Sequence, residues 1–273
     1  MKLSGLRPYV ERAPRLAASY RAIREIFADS AAHPRQTPYG FRFSGHSAME
    51  EGTFEPSETA LILEKLSGTD VFVDVGSNIG FYACLARSRG VQTIAVEPHP
   101  FNLRRLYANL SDNGWHDVEI FPVGVGASPR LAQLYGEGTG ASVVEGWAGT
   151  STVHRRLIPL LTLDLVVGKR FRDQRVFLKV DVEGLEKEVL LGATDTLANL
   201  QRATWLVEIC LTEHHPSGVN PVFGDVFDLF WSSGYRASSL DEGRRAIVPA
   251  DVRRWIAQRA QDFGSHNFIF ARE

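Results

Sequence analysis

One segment constrains this chain more than any other: Val71-Phe-Val-Asp-Val-Gly-Ser-Asn-Ile-Gly80. Val71, Val73 and Val75 can pack one face of a strand while Phe72 packs the other, which places Asp74 near the strand's C-terminal end. Gly76 permits a tight turn, and Gly80 permits close helix packing or cofactor approach in the helix predicted over 79–88. A second strand over 92–96 then ends in Glu97, 23 residues after Asp74. The same alternation continues. Strands are expected at 118–123, 175–180, 204–210, 235–239 and 267–271, and helices at 58–66, 100–110, 184–199 with a bend at Gly192, 222–232 and 250–260. A chain that alternates in this way is an α/β protein with a largely parallel sheet.

The chemistry of the first half follows from where those residues fall. A carboxylate at the end of the second strand can accept both hydroxyl protons of a ribose, and free amides at the following helix N-terminus can hold a polar ligand end. Asp74, Gly76, Ser77, Asn78, Gly80 and Glu97 are the candidate cofactor residues. Glycines at 76 and 80 lack the denser Gly-x-Gly-x-x-Gly pattern of dinucleotide sites, so S-adenosylmethionine is expected rather than a nicotinamide cofactor.

A second informative segment is Leu178-Lys-Val-Asp-Val-Glu-Gly-Leu-Glu186. A buried strand seldom carries a lysine without a partner, so Lys179 is expected to pair with a carboxylate, with Asp164 as the candidate. Asp181 and Glu208 end neighbouring predicted strands and should meet at the mouth that holds Asp74 and Glu97. There they can orient or deprotonate an acceptor, or hold Mg2+ or another divalent cation. His214 and His215 are further candidate bases, and neither has a cysteine at zinc-ligand spacing. Glu183 occupies the turn into the next helix, and Trp147 is a candidate substrate contact. Trp147 lies in the glycine-rich stretch 136–149, read as a mobile loop, while Tyr39, Phe41 and Phe43 can line an acceptor pocket or the core.

Composition narrows the partners. The chain is 44% hydrophobic and 23% charged with a net charge of -2, so nothing in the overall balance favours nucleic acid, and the arginine pairs read as solvated faces. Two cysteines form no disulfide framework and read as buried thiols. There is no signal-peptide core and no apolar run of transmembrane length. A cytoplasmic protein is expected, with peripheral membrane association still open. Val10, Leu16, Ala17, Tyr20, Ile23 and Phe27 form an apolar stripe on a helix over 8–28, which can pack on the domain, a membrane or a second copy in a homodimer. Residues 1–60 are expected to form an N-terminal helical extension and substrate-side cap, and 61–273 the catalytic domain.

At this point the chain resembles the FkbM-like methyltransferases. The pieces that carry the resemblance are Phe54-Glu-Pro56, Val73-Asp-Val-Gly-Ser-Asn-Ile-Gly80, Ala95-Val-Glu-Pro98, Asn109-Leu-Ser-Asp-Asn-Gly114, Leu161-Thr-Leu-Asp164, Leu178-Lys-Val-Asp-Val-Glu-Gly184, Glu188-Val-Leu-x-Gly192, Val207-Glu208 and Asn267-Phe-Ile-Phe270. Ser77 stands where that family frequently has alanine. The resemblance implies a class I (Rossmann-like) fold with a seven-stranded, mostly parallel sheet and a reversed final strand. It also implies methyl transfer from S-adenosylmethionine, commonly to a hydroxyl of a saccharide, lipid-linked glycan or natural product. On that basis Asp181, Glu183 and Glu208 face substrate or metal, with Lys179 and Asp164 in support. N-methylation of a small metabolite or protein is the alternative reaction, and a noncatalytic S-adenosylmethionine-binding protein the alternative class.

Overall fold

The computed structural model describes residues 33–272, apart from 151, 153, 154, 242 and 263. The helix expected over 8–28 lies outside the described residues. The strands, in chain order, are β1 (Arg35–Gln36), β2 (Arg42–Phe43), β3 (Val71–Val75), β4 (Gln92–Val96), β5 (Glu119–Phe121), β6 (Gly124–Val125), β7 (Arg130–Tyr135), β8 (Arg155–Leu161), β9 (Val176–Val180), β10 (Ala203–Glu208), β11 (Arg236–Ser239), β12 (Ala246–Ile247) and β13 (Asn267–Ala271). The main sheet has eight strands in the order β12-β11-β13-β10-β9-β3-β4-β5. β5, β4, β3, β9 and β10 run parallel, and β13 is antiparallel to both β10 and β11. The expected seven strands with one reversed are therefore present. The reversed β13 makes the sheet mixed, and the short β12, hairpinned onto β11, adds an eighth strand.

The side-chain period of two sorts the residues into two cores. Val71, Val73 and Val75 pack with Leu178, Val180, Trp205 and Val207 on one face, under the helices Leu163–Val167, Glu186–Leu191, Phe223–Ser232 and Pro249–Gln258. Phe72, Phe177, Leu206 and Ile269 face the other way, under Pro56–Leu66, Phe81–Ser88 and Pro100–Ser111. Proline opens both Pro56–Leu66 and Pro100–Ser111, where its missing N–H costs no helical bond. Phe41 and Phe43 are fully buried in this second core, their rings within 6.1 Å of each other and of Phe81. They are core rather than pocket lining, and they tie the β1–β2 hairpin to the sheet.

Chain order sets the place of the site. From β3 the chain moves outward to β4 and β5, then returns to the other side of β3 with β9 and β10. Side chains at the C-terminal ends of β3, β4 and β9 therefore border a crevice where the winding reverses.

A second sheet, β6-β8-β7, stands over that crevice. β8 contains Pro159, but β6 joins β8 only from Leu160 onward, so that edge is open where the proline lacks its N–H. Among the described residues no helix is long and apolar enough to cross a membrane.

Candidate functional site

The crevice, open to solvent on one side, spans about 630 Å3 including that opening and is lined by Gly76, Asn78, Glu97, Asn102, Asp181 and Glu183, with Val123, Val125, Leu134, Ile158 and Leu160 forming an apolar wall. Gly76 is required at its floor. Its φ is +89°, and a Cβ there would lie 1.8 Å from the carbonyl oxygen of Asp181. Gly80 meets a different need, since a Cβ would press on Leu106 of the neighbouring helix.

Glu97 is 5% exposed. One carboxylate oxygen accepts the Asn78 amide at 2.9 Å. The other accepts the His99 amide at 2.8 Å and the Asn102 side-chain amide at 3.2 Å. Burial pushes its carboxyl up to about 7 despite those donors. A carboxylate has about four acceptor positions, so capacity remains for hydroxyl donors from the cleft. Asn78 Oδ1, Asn102 Oδ1 and both carboxylate oxygens of Asp74 are buried without a hydrogen-bond partner. The unpartnered amide oxygens of Asn78 and Asn102 and the Glu97 carboxylate, all lining the crevice beside an apolar wall, fit a ligand with a ribose, a flat base and a cationic end, which is the composition of S-adenosylmethionine. Asp74, Ser77 and Gly80 are not among the lining residues. The Ser77 hydroxyl is used internally, donating to the Asp74 carbonyl at 2.7 Å and accepting the Val96 amide at 3.0 Å.

At the other end of the crevice lies a cluster of charges. Asp74 and Lys179 are cross-strand neighbours on β3 and β9, and Glu208 ends β10 opposite Asn267. All four fall on the sheet face covered by Pro56–Leu66. Lys179 is 2% exposed, and its ammonium lies 2.8 Å from Asp181 Oδ2, 3.5 Å from Glu58 Oε1 and 5.1 Å from the centre of the Tyr82 ring. Burial alone would depress the ammonium's pKa, but Asp181, Glu58 and Asp74 hold it well above the ordinary range. Burial pushes Glu58 up to about 7 and Asp74 to about 6. Glu208 is raised well above a normal carboxyl, first by the Asp181 charge beside it and then by burial.

This cluster corrects the pairing expected for Lys179. Asp164 lies elsewhere, accepting from Thr194 Oγ1, Thr196 Oγ1 and the Asp195 and Thr196 amides to hold the start of Thr194–Asn199. Asp164 is thus a helix cap, not a support for Lys179. The cation expected at Asp181 and Glu208 lacks a third ligand. Among the described residues no three His, Cys, Asp or Glu side chains are arranged to hold a metal, and Lys179 already places a positive charge on Asp181. Glu58 was missed by sequence reasoning. Its only signal was position, one turn into a helix just after Phe54-Glu-Pro56.

Trp147 is also placed differently from expectation. It is 1% exposed, donates from Nε1 to Glu183 Oε2 at 2.5 Å and packs on Gly184. Its ring lies 6.2 Å from that of His214 and 5.9 Å from that of His215, and the Ala148 amide donates to the His214 carbonyl at 2.7 Å. Ser142 Oγ donates to the Glu183 carbonyl at 2.6 Å, while Gly138, Ala141 and Val143 line the crevice. Residues 136–150 therefore form a strap anchored near its middle by Ser142 and toward its end by Trp147 and Ala148. His214 and His215 abut Trp147, and neither lines the crevice. Burial pushes Glu183 up to about 7, with Asp181 adding to the shift and Trp147 opposing it.

The hexuronic acid methyltransferase AglP of Haloferax volcanii is 32% identical over 161 residues, covering 59% of this chain and 62% of that one. The chain thus spans less than two thirds of that relative's length. Among solved structures, it is similar to precorrin-6y C5,15-methyltransferase from Geobacter metallireducens, with 12% identity, 87% and 100% coverage and a TM-score of 0.45. It is also similar to the O-methyltransferase from Bacillus cereus in complex with SAH, with 9% identity, 79% and 80% coverage and a TM-score of 0.44. Residues 74–237, more than half the chain, match the methyltransferase FkbM domain, from the end of β3 into the start of β11. The chain belongs to the methyltransferase FkbM domain family, whose cofactor is S-adenosylmethionine.

Proposed function

We propose that this protein is an O-methyltransferase that acts on a hydroxyl group of a saccharide. The observation that carries the reading is the arrangement at one sheet end: a cleft for the methyl donor opens at its far side onto Asp181 and Glu183. The likeness to a hexuronic acid methyltransferase supports a sugar as the acceptor.

S-adenosylmethionine supplies the electrophilic methyl group when bound. Glu97 holds the ribose hydroxyls, Asn78 and Asn102 add acceptors beside it, and the valine and leucine wall covers the base. Asp181 accepts the acceptor hydroxyl's proton, because it reaches the crevice while Lys179 occupies only one of its oxygens. Glu208, its carboxyl raised by the Asp181 charge beside it, helps orient the acceptor. Alignment of the acceptor contributes the rest of the rate. The strap carrying Trp147 excludes water. Glu55 and Glu58, at the start of Pro56–Leu66, reach this edge, which supports a substrate-side role for that stretch.

The test is incubation with methyl-labelled S-adenosylmethionine and the methyl glycosides of glucose, galactose, mannose and glucuronic acid, followed by NMR of the products. Label in an ether on a sugar carbon supports the reading. Label on an amine of added amino acids or protein, or tight cofactor binding with no transfer to any acceptor, overturns it.

A further inference from the structure

Resting on the assignment of Asp181 as proton acceptor, we propose that Glu58 is a positioning residue that acts on Asp181 through Lys179, with Asn267 holding Glu58 in place. Glu58 belongs to Pro56–Leu66, outside the part of the chain that matches the methyltransferase domain. It is 4% exposed, and Asn267 Nδ2 donates to its Oε2 at 2.8 Å, leaving Oε1 turned to the Lys179 ammonium at 3.5 Å. Oε1 has no hydrogen-bond partner, so its interaction is with the lysine's charge.

Lys179 is therefore held from three sides: Asp181 at 2.8 Å, Glu58 at 3.5 Å and the Tyr82 ring at 5.1 Å. Tyr82 is itself fixed, donating its hydroxyl to Glu55 at 2.8 Å. Glu55 and Glu58 thus reach the lysine's surroundings from one turn of one helix. The ammonium has three donors and one charge to divide. With Glu58 present, part of that charge is answered away from Asp181. Without it, the whole charge bears on Asp181, which then takes a proton less readily. The lysine also loses the contact that fixes its terminal atom.

The experiment uses the full-length protein, methyl-labelled S-adenosylmethionine and whichever of the four methyl glycosides the wild type methylates. Glu58→Gln preserves size and an acceptor for Asn267. It should lower kcat roughly tenfold, leave KM for the glycoside within about twofold and leave calorimetric cofactor affinity unchanged. Asp181→Asn should abolish most transfer, and adding Glu58→Gln to it should cost little more, because the two act on one proton transfer. Asn267→Ala, on a different strand, should reproduce a smaller kcat loss if Glu58→Gln folds poorly. An unchanged kcat in Glu58→Gln and Asn267→Ala, beside an inactive Asp181→Asn, overturns this assignment alone. So does a full, independent loss from Glu58→Gln in the Asp181→Asn background. Full activity of Asp181→Asn, or no methylation of any glycoside by the wild type, overturns the underlying reading and this assignment with it.

Discussion

Replacing Gly184 by alanine tests whether Trp147 is a fixed latch. Gly184 has a φ of +99°, and a Cβ there would lie 2.6, 2.7 and 3.1 Å from Cζ3, Cε3 and Cη2 of the Trp147 ring. The backbone conformation alone costs a non-glycine residue ~1–2 kcal/mol. The ring cannot step aside cheaply. It is 1% exposed, held at Nε1 by Glu183 and flanked by His214 and His215. Overpacking against such a ring adds ~1–3 kcal/mol, for a total loss of ~2–5 kcal/mol. Trp147→Leu removes the ring and its bond to Glu183 and should cost ~2–4 kcal/mol on its own. In the double variant the clash is gone and only the backbone cost of alanine remains. The double should therefore be more stable than the sum of the singles by ~1–3 kcal/mol. Urea unfolding of the four proteins measures this directly, with comparable m-values required for the comparison. Additivity within ~0.5 kcal/mol would refute the latch, because the alanine methyl would then not be meeting the tryptophan. Calorimetry on the same proteins should show weaker S-adenosylmethionine binding in Gly184→Ala, since the strap also lines the crevice through Gly138, Ala141 and Val143.

Other outcomes follow from the same geometry. Glu97→Gln replaces one charged acceptor with a donor facing backbone N–H groups and should weaken S-adenosylmethionine by about 3 kcal/mol, roughly a hundredfold in Kd; a change below about fivefold by calorimetry would count against Glu97 as the ribose holder. The cofactor-free protein should be less stable at pH 8 than at pH 6. Burial raises Glu58, Glu97, Glu183 and Glu186 from 4.5 to about 7 and Asp74 from 3.8 to about 6, so the native state binds more protons and stability falls as pH rises through those values. A thermal midpoint that stays flat or climbs over that window contradicts this. Asp164→Ala should cost ~1–2 kcal/mol of stability through loss of the helix cap while leaving the transfer rate unchanged, and a fall in kcat at constant stability would return Asp164 to the site.

The main sheet was legible because its strands carry local signals. β3, β4 and β13 fall where sequence places them, since each is a short apolar run bounded by turn residues. The bend at Gly192 was also legible, and it separates Glu186–Leu191 from Thr194–Asn199. The second sheet was not, because β6 has two residues and β8 contains a proline and two arginines. Glu97 stood out because a strand end reports its own position. The partner of Lys179 did not. Asp164 and Glu58 are equally plausible carboxylates in one dimension, and only the packing of Pro56–Leu66 against the lysine-bearing face decides between them. A glycine-rich stretch likewise suggests mobility, yet Trp147 and Ser142 give this one two anchors on the turn after β9.

The two ends of the crevice hold their carboxylates by different means, and the difference bears on chemistry. Glu97 is held by two backbone amides and a side-chain amide. Neutral donors fix its geometry without cancelling its charge, so it remains an acceptor for neutral hydroxyls. Asp181 is held by an ammonium that also answers Glu58 and Asp74. Fixing by an ion limits the net charge that a low-dielectric pocket must carry when a proton arrives or leaves. On the proposed reading, the first arrangement suits binding that need not change during turnover, and the second suits a group whose charge must change. The β3–β9 pairing makes both possible, because it brings Asp74 beside Lys179 while Gly76 leaves room for the Asp181 carbonyl. A side chain at position 76 would therefore disturb the proton-handling end as well as the cofactor end.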